Sequence, residues 1–94
     1  EAPKNVREYV ARRDKYKCYY CDRHSTELKR LRLLHNSKYP RGCIDHIHPS
    51  AMGGGNDESN LTYTCTCCNT AKGTNIWEKG CRVGKYDING FYTG

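Results

Sequence analysis

Four polar residues fall in an order suited to hydrolytic chemistry. Asp45 and His46 are adjacent, Asn60 comes fourteen residues after His46, and Asn69 nine residues after that. An imidazole with its ordinary pKa of about 6.5 is the natural base for taking a proton from water at neutral pH. A carboxylate oxygen and an amide carbonyl oxygen are both hard ligands. A site offering the two, with positions left for water and substrate, suits Mg²⁺ or Mn²⁺. Such an ion neutralises charge that grows on a phosphodiester as water attacks it. An Asp-His pair alone means little, so the residues around it decide what it is.

Those surroundings are rich in cysteine. Cys18-x-x-Cys21 and Cys65-x-x-Cys68 share one spacing and are separated by 43 residues. Two thiolates three apart can meet one ion from a tight turn, and two such turns supply the tetrahedral four-sulfur set that zinc favours. The loop they close contains both Asp45 and His46, so metal binding becomes folding energy for that segment. Cys43, Cys67 and Cys81 remain, and the simplest reading makes them small buried residues. Seven cysteines is an odd number, which leaves one over in any closed disulfide framework. We therefore expect a reducing, cytoplasmic setting, bacterial or phage-encoded, with neither signal peptide nor membrane span.

The elements that must position these groups can be placed coarsely. Residues 4–13 read as a helix with Val6, Tyr9, Val10 and Arg13 on one stripe and Pro3 suited to its first turn. Residues 26–35 are ambiguous between helix and strand, and 36–42 read as a loop broken by Pro40 and Gly42. CIDHIH at 43–48 reads as a strand ended by Pro49, AMGGGNDES at 51–59 as a flexible turn, and NLTYTC at 60–65 as the returning strand. TCCNTAKG at 66–73 reads as a short helix, and nothing informative is legible in the tail at 80–94. Along a regular strand Asp45 and His46 point to opposite faces. Acting on one phosphate therefore requires a twist, a bulge or a strand end at that point.

Composition sets the need for a staple. The chain has 94 residues, room for one domain, and its 36% hydrophobic content includes seven Cys and eight Tyr. So thin a core usually needs a metal or disulfides. Tyr16, Tyr19 and Tyr20 cluster at the first Cys pair and are expected to thicken the core there. The net charge is +6, and residues 1–32 hold ten Lys and Arg against five acids. A basic segment of this kind is the footprint of a polyanionic partner. Arg12, Arg13, His48 and Lys72 are the cations placed to meet phosphate, while His24 and His35 read as surface residues.

The segment from Asp45 to Gly73, DHIHPSAMGGGNDESNLTYTCTCCNTAKG, together with CYYC before it, resembles the HNH endonuclease family, a ββα-metal nuclease class. The resemblance covers about half of the chain, with its features agreeing in order and spacing. It implies a small α+β fold, a ββα-metal finger with an N-terminal helix, stapled by a four-cysteine zinc site. It implies a single domain over 1–94 with a core motif at 43–73. It makes His46 the general base, Asp45 a ligand of the catalytic cation, and Asn60 the residue that steadies the hairpin loop and the base. It makes Asn69 a metal ligand on the helix, where the family's name has His. The implied activity is metal-dependent cleavage of DNA, RNA being the lesser expectation, with a structural zinc and a catalytic Mg²⁺ or Mn²⁺. The alternative is a zinc module that binds nucleic acid without cutting it. The insertion at 22–42 is longer than the minimal motif and marks a substrate or dimer contact; a homodimer is compatible with the sequence.

Overall fold

A two-stranded antiparallel hairpin carries Asp45 and His46, and three helices hold it. The computed structural model describes residues 2–94. In chain order the elements are α1 (Lys4–Arg13), α2 (Ser25–His35), β1 (Gly42–His46), β2 (Leu61–Cys65) and α3 (Thr66–Lys72). The fold is small α+β, with β1 and β2 in regular register from Gly42↔Cys65 to His46↔Leu61. No helix among the described residues is long and apolar enough to cross a membrane.

The two faces of the hairpin have different work. Ile44 and Leu61 face α1 and pack with Ala2, Val6 and Val10. Cys43 and Asp45 lie on the opposite face, toward α3. A second cluster, of Cys18, Tyr20, Cys21, Leu28, Cys65 and Cys68, fills the space between the first Cys pair, α2 and α3. In β2 all five residues are buried, including Thr62 and Thr64. The Leu-Thr-Tyr-Thr alternation does not put the threonines in water, because packed elements cover both faces of β2 and its outer edge.

That outer edge is closed by side chains. Arg13 Nη2 donates to the Leu61 carbonyl at 2.6 Å, Asp14 Oδ2 accepts from the Tyr63 N–H at 2.9 Å, and Tyr19 N–H donates to the Tyr63 carbonyl at 2.9 Å. An exposed strand edge invites unwanted pairing, and here β2 presents none. On the outer edge of β1 only the end is capped, where the His46 carbonyl accepts from Lys72 Nζ at 2.9 Å, and no backbone partner lies along the rest among the described residues. The hairpin thus keeps one open edge, on the strand that carries Asp45 and His46.

Asp14 is the hub of the closed edge. Its carboxylate also accepts from the Thr62 hydroxyl at 2.9 Å and pairs with Arg13 through two nitrogens. Burial alone would push this carboxyl up, but Arg13, the Tyr63 N–H and Thr62 together hold it below its ordinary value. A group depressed on folding contributes stability above its unfolded pKa and loses it as pH falls through its folded one. Asp14→Asn is therefore expected to lower stability at pH 7 by about 1–3 kcal/mol. In thermal melts the gap between parent and variant should close as pH drops below about 4. A constant gap across that range would remove Asp14 as the source.

Three local expectations shift. In α1 the buried pair is Val10 and Ala11, while Tyr9 is half exposed and Arg13 serves the β2 edge. The apolar stripe lies one residue round from the spacing of Val6, Tyr9 and Val10, since Ala11 fits the close approach to the hairpin. The ambiguous 26–35 segment is helix α2, started by His24, whose ring accepts from the Thr26 N–H. The tail, unreadable in the sequence, wraps back over α2 and α3. Tyr86 and Tyr92 form a bridge, Arg82 lies 3.9 Å from the Tyr92 ring centre, and Arg30 and His35 reach the carbonyls of Ile88 and Asn89.

Candidate metal centre and active-site cleft

The four cysteines of the two C-x-x-C turns converge. Their sulfurs lie within 4.8 Å of one another, and all four residues are buried. Cys21 Sγ and Cys65 Sγ are 3.7 Å apart. A tetrahedron with Zn–S bonds of about 2.3 Å has edges of about 3.8 Å, so the donor set fits one zinc. Each turn directs an N–H at its own first sulfur, Cys21 to Cys18 and Cys68 to Cys65. Arg23 donates to Cys21 Sγ at 3.2 Å and to Cys65 Sγ at 3.3 Å. Four thiolates around Zn²⁺ leave a net charge of about −2, which explains a buried guanidinium beside them. Arg23 also stacks 3.8 Å from the centre of the Tyr86 ring, whose hydroxyl is 3.6 Å from Cys68 Sγ.

Among the described residues the remaining cysteines join no second cluster of metal-ligating side chains. Cys43 and Cys67 are half-buried and Cys81 is exposed, so the expectation that all three are buried is corrected for Cys81. It lies in a turn of the tail that leaves its side chain in solvent. Burial pushes the Cys43 thiol up, which keeps it protonated.

Along the open edge of β1 runs a cleft of about 820 Å³, floored by the strand itself and walled by α1 and α3. Asp45, His46 and Asn69 all line it, as do Lys4 and Arg7 of α1. The strand shows no bulge through His46. Asp45 and His46 do leave opposite faces, yet both border the cleft because it opens on the edge between those faces. This answers the geometric demand that adjacent strand residues address one ligand.

His46 is held by a residue that sequence reasoning missed. Its Nε2 lies 2.7 Å from Asn56 Oδ1. An amide oxygen there accepts the Nε2 proton, which leaves the Nδ1 lone pair available as a base. Asn60, expected to steady both loop and base, makes its hydrogen bonds to the loop backbone and none to the ring among the described residues. Its Oδ1 accepts from the His48 N–H at 2.9 Å, and its Nδ2 donates to the carbonyls of His48 and Gly55. Gly54 must be glycine in this clamp, since a Cβ would strike the His48 carbonyl oxygen.

Asp45 is only 11% exposed at its side chain, and its Oδ2 is 3.0 Å from Lys72 Nζ. The Tyr20 hydroxyl donates to the same oxygen at 3.5 Å, linking the zinc cluster to the carboxylate. Oδ1 has no hydrogen bond among the described residues. Asp45 and Asn69 both border the cleft, and their side chains carry hard oxygens of the kind a divalent cation takes.

A family model for HNH endonuclease matches residues 18–75, more than half of the chain. The chain belongs to the HNH endonuclease family. No curated protein and no solved structure matches it. The matched span holds both HNH cysteine turns, the hairpin and α3. Helix α1 and the aromatic tail lie outside it, so their cover of the hairpin and the cysteines goes beyond the matched core.

Two of the cations expected at phosphate have partners within the chain. Lys72 is fully buried and engaged with Asp45 and the His46 carbonyl, so it cannot meet DNA directly. Arg13 spends its guanidinium on Asp14 and on the carbonyls of Glu58 and Leu61. Arg12 and His48 are exposed. Lys4 and Arg7, nearer the start of α1, are the cations that border the HNH cleft.

Asn56 sat in a stretch of small and polar residues with nothing to mark it out. Outer partners that orient a metal-bound imidazole are worth roughly 10–100-fold in activity, and a partner that orients a base imidazole is expected to act on the same scale. Asn56→Ala is expected to slow plasmid nicking within that range while DNA affinity, read by gel shift, stays unchanged.

Proposed function

We propose that this protein is a metal-dependent endonuclease that hydrolyses phosphodiester bonds in DNA. The observation that carries the reading is the convergence of Asp45, His46 and Asn69 on one open cleft. His46 Nδ1 takes the proton of the attacking water, and Asn56 keeps the opposite nitrogen protonated. Asp45 Oδ1 and the Asn69 amide oxygen would hold Mg²⁺ or Mn²⁺, which when bound supplies positive charge to the scissile phosphate and its leaving oxygen. Asn60 fixes the loop that carries Asn56. Lys4 and Arg7 border the cleft beside Glu8, with which Lys4 pairs at 4.0 Å, and give that wall a net positive charge toward the flanking backbone.

A second reading, a zinc-stapled module that binds nucleic acid without cutting, draws on the ion pair between Asp45 and Lys72. A carboxylate already paired with a buried ammonium has less need of a metal. Incubating zinc-loaded protein with supercoiled plasmid separates the two. Nicking that depends on added Mg²⁺ or Mn²⁺ supports the nuclease. Retarded but uncut plasmid at every metal concentration would overturn it in favour of the module.

A further inference from the structure

Lys72 ends α3 and is fully buried, unusual for a lysine in so small a chain. An ammonium withdrawn from water must find fixed acceptors. It finds two, and they belong to the adjacent residues of the site. Nζ is 3.0 Å from Asp45 Oδ2 and 2.9 Å from the His46 carbonyl oxygen. Asn69 stands three residues earlier, on the same side of α3. One side chain therefore ties the helix bearing Asn69 to the strand bearing Asp45 and His46.

This grip has two consequences of opposite sign. It fixes the rotation of the Asp45 carboxylate and the height of His46 on the strand, which favours catalysis. It also occupies one carboxylate oxygen and places a fixed positive charge beside a cation's seat, which weakens cation binding. We propose that Lys72 is a positioning residue that presents Asp45 Oδ1 alone to the divalent cation, fixing the site's geometry while weakening its hold on the metal. The proposal rests on the nuclease reading above. A merely structural lysine predicts something else: its loss would weaken metal binding and activity together.

The test measures Mn²⁺ binding to the zinc-loaded full chain by the electron paramagnetic resonance of free Mn²⁺, beside plasmid nicking at saturating Mn²⁺. Lys72→Met is expected to bind Mn²⁺ several-fold more tightly than the parent, yet to nick roughly 10-fold or more slowly. Equal or weaker Mn²⁺ binding by a folded, zinc-loaded Lys72→Met would overturn the proposal. Where that variant fails to fold, the parent still decides. The ¹⁵N-ammonium resonance of Lys72, assigned through its displacement in Asp45→Asn, should shift on saturation with Mg²⁺ and stay protected from exchange. Its collapse into the exchanging lysine signals would show the metal displacing Lys72, which overturns the proposal. A parent that cuts DNA while Lys72→Met behaves like it removes this inference alone. A parent that neither binds Mn²⁺ nor cuts removes the nuclease reading and this inference with it.

Discussion

Replacing His46 with alanine is expected to slow plasmid nicking by roughly 10²–10⁴-fold, the usual worth of a positioned general base. Zinc content, helix content and DNA affinity should stay as in the parent. The expectation of an intact fold follows from where the ring sits. His46 is the last residue of β1, half-buried, and its ring bonds Asn56 in an exposed loop. Truncating it empties no core position, unlike the loss of Ile44 two residues earlier. The backbone of His46 keeps its pairing with Leu61 and its carbonyl keeps Lys72. A base removed without collapse of its surroundings leaves a gap that a small molecule can fill, so added imidazole should restore part of the lost rate. Restoration by imidazole separates a missing base from a damaged scaffold. A variant that cuts at the parental rate would move the base to another residue, and His48, exposed two positions on, is the first to try.

Much of this site was legible because its constraints are local and chemical. The spacing within each C-x-x-C turn dictates which atoms can share an ion, whatever else the chain does. Asn69 follows Cys68 directly, so placing the cysteine on α3 placed the amide as well. The hairpin was legible from Pro49 and the glycines that end β1. What escaped depended on packing between distant segments. Lys72 looked like a phosphate-reaching cation because nothing in TCCNTAKG says which side of a short helix faces the strand. Its burial follows from Asp45, which is 27 positions away. Arg13 likewise read as part of an apolar stripe or a basic face, while its carbonyl partners lie 45 and 48 residues on. Arg23 could have been anticipated, since a four-thiolate zinc site carries net negative charge and a cation two residues after Cys21 is well placed to offset it. Asn56 could not, because an asparagine in a glycine-rich loop has no periodicity to betray its partner.

Stripping zinc is expected to unfold the chain outright. Structural zinc contributes about 10–16 kcal/mol of apparent binding energy at pH 7 in small domains, and whole domains are stable by only about 5–15 kcal/mol. The four cysteines make up much of one of the two core clusters, whose other buried members are Tyr20 and Leu28. Without an ion, four sulfurs crowd a space that no apolar side chain fills, and Arg23 loses the charge that justifies its burial. One of its terminal nitrogens, Nη1, already has no hydrogen-bond partner among the described residues. The consequence reaches the cleft, because Tyr20 packs among the cysteines and touches Asp45. Chelation should therefore abolish the far-ultraviolet helix signal and red-shift the emission of Trp77, which meets Tyr20 edge to face. One equivalent of Zn²⁺ should restore both signals, and Mg²⁺ should restore neither. Cys68→Ser should reproduce the loss, while Cys81→Ser, at an exposed position outside the cluster, should melt like the parent. Folded structure that survives chelation would mean that the hairpin and its helices stand on the apolar cluster around Val10 and Leu61 with the Asp14 and Lys72 contacts, and the cysteines would then need another role.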